Sequence, residues 1–185
     1  MDINEIKAKV HANHYVYSQH AELERRVDDL TFAQIYEALL NGQILEQYPD
    51  TGRGESCLVV GLAGELPIHV VCGWRGDKVA LITVYMFPAP QSSSILGPEE
   101  RGPMRQVQCN VCGSDRYEER RIEYLYSHKG KYLLVPNTPV EVCLHCGMIY
   151  YDAGVLKEIE RHFFAIQNKT EEPDRYIEVP AKAYT

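Results

Sequence analysis

Cys109-Asn-Val-Cys112-Gly and Cys143-Leu-His-Cys146-Gly repeat one short pattern, thirty residues apart, in a chain with six cysteines. A Cys-x-x-Cys turn presents two thiolates to one ion, and two such turns complete a tetrahedral four-sulfur shell suited to zinc. The glycine after each second cysteine can take positive φ, which turns nearby amides back toward the sulfurs. Four thiolates leave no open position for a substrate, so the spacing predicts one structural Zn2+ held by Cys109, Cys112, Cys143 and Cys146. His145 inside the second pair and His128 at a hairpin tip then read as surface residues. Cys57 and Cys72, in apolar strand-like runs, read as buried small hydrophobes.

At 185 residues, with 45% hydrophobic residues and a mean hydropathy of -0.32, the composition is that of a soluble globular protein of one domain or two small ones. No apolar run is long enough to span a bilayer, and the charged start Met1-Asp-Ile-Asn-Glu-Ile-Lys lacks the apolar core of a signal peptide. Both features predict a cytoplasmic protein whose cysteines bind metal rather than form disulfides, with no membrane partner. Net charge is -7. Residues 1–88 carry 7 Lys/Arg and 12 Asp/Glu, a balance of -5; residues 104–185 carry 11 and 12, a balance of -1. Neither half has the positive field that drives non-specific nucleic-acid binding, so an RNA substrate would have to be held by a local patch.

The elements that position these residues follow from capping and periodicity. Ser18 is a candidate N-cap for a helix through His20, Leu23 and Val27. Thr31-Phe-Ala-Gln34 reads as a capping box for a second helix, with Ile35, Ala38 and Leu39 on its apolar face and Gly42 as its stop. Strands are predicted over 44–48, 56–62, 68–75 and 79–87, an antiparallel meander with a tight turn at Gly76-Asp77. Residues 89–103 are rich in Pro, Ser and Gly and read as a linker with an r.m.s. reach of about 20–25 Å. Beyond it, 115–126 and 131–135 form a predicted hairpin around His128-Lys129-Gly130. The stretch 138–142 leads into the second cysteine pair, 149–151 leaves it, and Asp152 caps a helix to about Gln167. Tyr176-Ile177-Glu178-Val179 alternates in polarity, and Pro173 and Pro180 confine any strand there to a sheet edge.

The cysteine spacing, the intervening hairpin and the closing helix together resemble the zinc-binding domain of the MqsA (YgiT-type) antitoxins. The resemblance covers about residues 104–168. It rests on the four cysteines, on Val135-Pro136-Asn137 ahead of the second pair, and on the Asp152-capped helix after it. It implies a zinc ribbon that binds a toxin. Antitoxins of that type continue into a helix-turn-helix domain, whereas only a short tail follows Gln167 here, so no DNA-binding domain is carried over. The other reading of the ribbon is a metal-held piece that only stabilises its own chain.

The first half has the order helix, helix, four-stranded antiparallel sheet, with Ser18-Gln-His20-Ala21 early, Ile68-His69-Val70-Val71 in a middle strand and Ile82-Thr83-Val84-Tyr85 in the last. It resembles a small uncharacterised bacterial domain family grouped with RelE-like and MqsR toxins, over about residues 14–88. The resemblance implies metal-independent endoribonuclease chemistry, in which the ribose 2′-hydroxyl attacks the adjacent phosphodiester. That reaction needs a base, an acid for the leaving oxygen and cations over the phosphate. On this resemblance His20, His69 and Tyr85 are the acid/base candidates, and Arg25, Arg26 or Arg75 the phosphate clamp. The family pattern has arginines four and eight residues after its first histidine; those positions hold Glu24 and Asp28 here, and arginine stands at Arg25 and Arg26 instead. Register adds a fork. A two-residue loop at Gly76-Asp77 sets His69 opposite Val84 and turns His69 and Tyr85 to opposite faces, whereas a three-residue loop sets them on one face.

The fold class expected from these readings is α+β in two small domains: a RelE/MqsR-like unit over 1–88, a linker over 89–103, a four-cysteine zinc ribbon with a C-terminal helix over 104–170, and an extended tail over 171–185. The function implied is a single-chain toxin–antitoxin-like protein. Its ribbon would dock on its own first half, or on that of a neighbouring chain in a homodimer, and hold it inactive at millimolar effective concentration. The alternative is a non-enzymatic protein-interaction module with a degenerate toxin fold.

Overall fold

The computed structural model describes residues 1–50, 52–86, 107–180 and 182; the expected linker, 89–103, lies outside them. The first helix, α1 (Ile3–His11), is capped by Asp2, whose side chain accepts the Glu5 amide. It leads into a four-residue strand, β1 (Tyr15–Ser18). Ser18 ends that strand and caps α2 (Gln19–Val27) by accepting the Ala21 amide at 3.1 Å. Next comes α3 (Phe32–Asn41), opened by the reciprocal bonds between Thr31 and Gln34 that the sequence predicts. Four antiparallel strands follow, β2 (Gln43–Tyr48), β3 (Ser56–Ala63), β4 (Leu66–Arg75) and β5 (Lys78–Tyr85). The cysteine half supplies β6 (Tyr117–His128), β7 (Lys131–Cys143), β8 (Ile149–Asp152) and α4 (Ala153–Gln167).

The strands form one eight-stranded mixed sheet in the order β2-β3-β4-β5-β1-β8-β7-β6. This overturns the expected four-stranded sheet followed by a separate small ribbon. The cause is β1, which the sequence reading passed over. It pairs in parallel with β5, Val16 opposite Ala80, and antiparallel with β8, Val16 opposite Asp152. Tyr15-Val-Tyr-Ser is a β-branched and aromatic run, buried at all four positions, and it joins the sheet of the first half to that of the cysteine half. α1 was likewise not anticipated. The stretch read as two strands over 131–142 is one strand, with Pro136 and Asn137 bulging between the pairs Tyr124–Val135 and Ile122–Thr138.

The main core lies between the helices and one face of the sheet, with Ile6, Phe32, Ile35 and Leu39 packed near Tyr17, Val59, Val70, Leu81 and Tyr126. Val16, Ala80, Cys109, Cys143 and Tyr150 make a second cluster on the other face. The halves also share polar bonds. Glu160 of α4 accepts the amides of Phe32 (2.7 Å) and Ala33 (3.0 Å). With the Thr31–Gln34 pair, this satisfies all four orphan amides of α3's first turn. At the surface the β6–β7 tip meets the turn after α2, the Lys129 amide donating to Asp29 at 2.8 Å.

Candidate functional site

The two cysteine pairs sit in matching turns. Gly113 donates to the Cys109 carbonyl at 2.8 Å and Gly147 to the Cys143 carbonyl at 2.9 Å, with φ of +74° and +77° at the two glycines. The Sγ atoms of Cys109 and Cys146 are 3.6 Å apart, as are those of Cys112 and Cys143, and all four lie within 4.8 Å of one another. A tetrahedral ion with metal–sulfur bonds of about 2.3 Å separates its ligands by about 3.8 Å, so the four sulfurs fit a single metal ion. None of them is in a disulfide. Burial opposes ionisation of Cys143, yet the amides of Cys146 and His145 at its sulfur bring the thiol down to about 7. Desolvation, and then the neighbouring Cys112, Cys109 and Cys143 sulfurs, raise the pKa of Cys146. Around the sulfurs, Tyr150 donates its hydroxyl to Cys109 Sγ at 3.4 Å and accepts the Asn110 amide at 3.0 Å, the kind of outer contact that orients a ligand.

The first cysteine turn rests on the end of β4. Asn110 donates to the Trp74 carbonyl at 3.3 Å, and a Cβ on Gly73 would stand 2.9 Å from the Asn110 amide nitrogen. Arg75 lies beside this contact, buried, with its guanidinium 4.1 Å from the Tyr117 ring centre, 4.6 Å from that of Tyr150, and ion-paired to Glu141. Among the described residues its Nε and Nη2 have no hydrogen-bond partner. The expected phosphate clamp is thus part of the joint between the halves. On β4 it lies six residues from His69, about 20 Å along the strand.

His69 and Tyr85 do come together. The Gly76-Asp77 loop has two residues, Arg75 pairing with Lys78, which by itself would turn His69 and Tyr85 to opposite faces. Ile82 is an extra residue on β5, a bulge between Cys72–Leu81 and Val71–Thr83, and it moves His69 into register with Tyr85. The rings stack at 5.0 Å and 7° on the face that also carries Arg75. Ser18 pins the bulge by donating its hydroxyl to the Ile82 carbonyl at 2.8 Å. Burial lowers the pKa of His69, which leaves a neutral imidazole with a buried Nδ1 lacking a partner among the described residues. Burial first, and then the charges of Glu46 and Glu24, raise that of Tyr85. Both groups are therefore held in their neutral forms, an unprotonated imidazole stacked on a protonated phenol.

The other candidates are placed elsewhere. His20 is exposed and turns to Glu24 at 3.1 Å. Arg25 is fully buried: Nε and Nη2 donate to Glu22 at 2.7 and 3.0 Å, Nη1 donates to the Leu30 carbonyl at 2.6 Å, and the guanidinium faces the rings of Phe32 and Tyr126. Arg26 also bonds Glu22 at 2.7 Å and lies over Tyr124. Glu24 and Asp28, standing where the resemblance expects arginine, accept the amides of Val84 on β5 (3.3 Å) and of Met86 just after it (2.9 Å). An arginine could not do this, having no acceptor.

Sequence reasoning missed the buried carboxylates that organise this half. Glu22 holds Arg25, Arg26 and the Tyr124 hydroxyl, and Glu160 holds the Tyr126 hydroxyl at 2.7 Å as well as α3. The i, i+3 and i, i+4 spacing of Glu22 to Arg25 and Arg26 was a readable signal for the first; no local signal marks the second.

Residues 17–86 match the family described as Domain of unknown function (DUF4258), a stretch running from within β1 to the end of β5. No curated protein and no solved structure matches the chain. Among the described residues, no helix is long and apolar enough to cross a membrane.

Proposed function

We propose that Cys109, Cys112, Cys143 and Cys146 hold one structural Zn2+, and that the chain is a fused toxin–antitoxin-like protein acting as a protein-interaction module. The fate of the cations carries this reading. In-line attack on a phosphodiester needs positive charge over the phosphate, and the three arginines suggested for that role are bound to carboxylates of the chain itself: Arg25 and Arg26 to the buried Glu22, Arg75 to the partly exposed Glu141. Carboxylates stand where the toxin-like pattern has arginine. The antitoxin-like half is continuous with the sheet of the first half, so it works as a fixed part of the module, and the metal makes it rigid. Zinc is favoured among metals by four thiolates at tetrahedral spacing with no open position.

A held endoribonuclease is the second reading, and the His69–Tyr85 stack favours it. A neutral imidazole can take the 2′-hydroxyl proton, and a phenol can give one to the leaving oxygen.

The test uses the full-length protein, zinc-loaded and after chelation, with single-stranded RNA, beside His69→Ala and Tyr85→Phe. We expect no cleavage above that of the variants in either state. Cleavage abolished by both substitutions, whether before or after chelation, would establish the nuclease reading instead. Metal analysis should return one zinc per chain and less than a tenth of that in Cys143→Ser; iron, or no metal, would refute the zinc assignment.

A further inference from the structure

Two further features of the molecule match each other. The first is an apolar groove of about 440 Å³ between β7 and the start of α4, lined by Val135, Pro136, Pro139, Val155, Ile159 and His162 among others. It opens where β8 has ended, since β8 pairs with β7 only from Val140 to Val142. The second is the segment after α4. The chain reverses at Lys169, with φ of +59° and the Thr170 amide on the Ala165 carbonyl. Glu171 is then held at the groove's margin by His162 Nδ1 at 2.5 Å, with Arg161 at 3.8 Å. Beyond it the described residues, 172–180 and 182, form no helix or strand, and Tyr176, Ile177 and Val179 are 84%, 51% and 81% exposed.

Three large apolar side chains within four residues, bracketed by Pro173 and Pro180 and standing in water, are an unsatisfied surface. The prolines restrict the backbone and lessen the entropy lost when the segment is captured. Four extended residues span about 13 Å, and the groove runs along eight residues of α4, about 12 Å, so the two match in length. In its own chain the segment stands clear of the groove. Every other copy of the chain offers the same groove.

We propose that Tyr176-Ile177-Glu178-Val179 inserts into the β7–α4 groove of a second copy, and that two copies exchange tails about a twofold axis. Such an exchange is isologous and closes on itself, so it yields a dimer rather than a filament. The tails carry Arg175 and Glu178 alongside the apolar residues, and at the groove rim Glu158 is already paired with Arg161, so the match rests on the apolar side chains and on length. The interface would be small, as in weak, transient assemblies.

Light scattering on the full-length protein from about 1 to about 100 µM tests this by mass action. The wild type should pass from monomer to dimer, and Tyr176→Asp/Val179→Asp should weaken dimerisation at least tenfold, since both sites are exposed and the fold does not depend on them. A complementation test keeps the idea open to refutation if a groove variant disturbs folding. Val155→Arg, with its tail intact, is mixed with a chain ending after Glu172, whose groove is intact. Each alone should be monomeric, and the mixture should form a heterodimer through one tail and one groove. A wild type that stays monomeric throughout, or a dimer indifferent to the tail substitutions, would overturn the proposal. So would a monomer whose tail resists trypsin at Arg175 and Lys182, because the tail would then be closing on its own chain.

Discussion

Between Phe32 and Tyr126 the Arg25 guanidinium gives two N–H groups to Glu22 and a third to the Leu30 carbonyl, so its charge is balanced inside the protein and none of it reaches solvent. Removing one member of such a pair strands the other in a medium that cannot solvate it. Arg25→Met should destabilise the fold by about 3–5 kcal/mol in urea titration. An exposed phosphate clamp at the same position would change stability by less than about 0.5 kcal/mol. At His69 the prediction concerns pH. Burial holds its folded-state pKa below the ordinary value, so the unfolded chain binds the proton first as pH falls. The contribution of this group is fully present above about pH 6.5 and is lost as pH drops toward the lower, folded pKa. Urea midpoints measured from about pH 7.5 to about pH 5 should therefore fall more steeply for the wild type than for His69→Gln. Equal slopes would show that His69 ionises freely in the folded protein.

Among the elements, the helices with strong local signals lie where capping places them. The Thr31–Gln34 box opens α3 and Asp152 opens α4, because each signal consists of residues within one turn of the bond they make. Strand β1 lacked such a signal. Its four residues are too short a run to display a period, and Ser18 at its end is also the cap of α2, so the helix start was legible and the strand before it was not. The bulge at Ile82 was equally hidden. The loop length was readable from Gly76-Asp77, but the extra residue depends on the Ser18 hydroxyl reaching the Ile82 carbonyl from 64 positions away. One inserted residue reverses which side chains share a face, and that brings His69 onto Tyr85.

For the whole molecule, sheet continuity replaces the tethering expected of two small domains. A metal bound by the four cysteines would organise not only their turns but also the seat of Asn110 on Trp74 and, through β8 and β1, the middle of the sheet. Calorimetry should accordingly show one unfolding transition that chelation lowers as a unit, by ~10 °C if the ion contributes about 3–5 kcal/mol. Two transitions, one of them indifferent to chelation, would mean that the halves fold separately. The four-cysteine cluster was readable from the sequence alone, since each pair of ligands is set by a spacing of three residues and a following glycine; the meander and the capped helices were readable for the same local reason. The tertiary structure alone decided that β1 joins both halves in one sheet, that Arg25 and Arg75 are consumed inside the protein, and that His69 meets Tyr85. Each of those outcomes depends on strand pairing, burial or register between residues far apart in the chain, and a charge or a ring carries no local mark of the partner that will reach it.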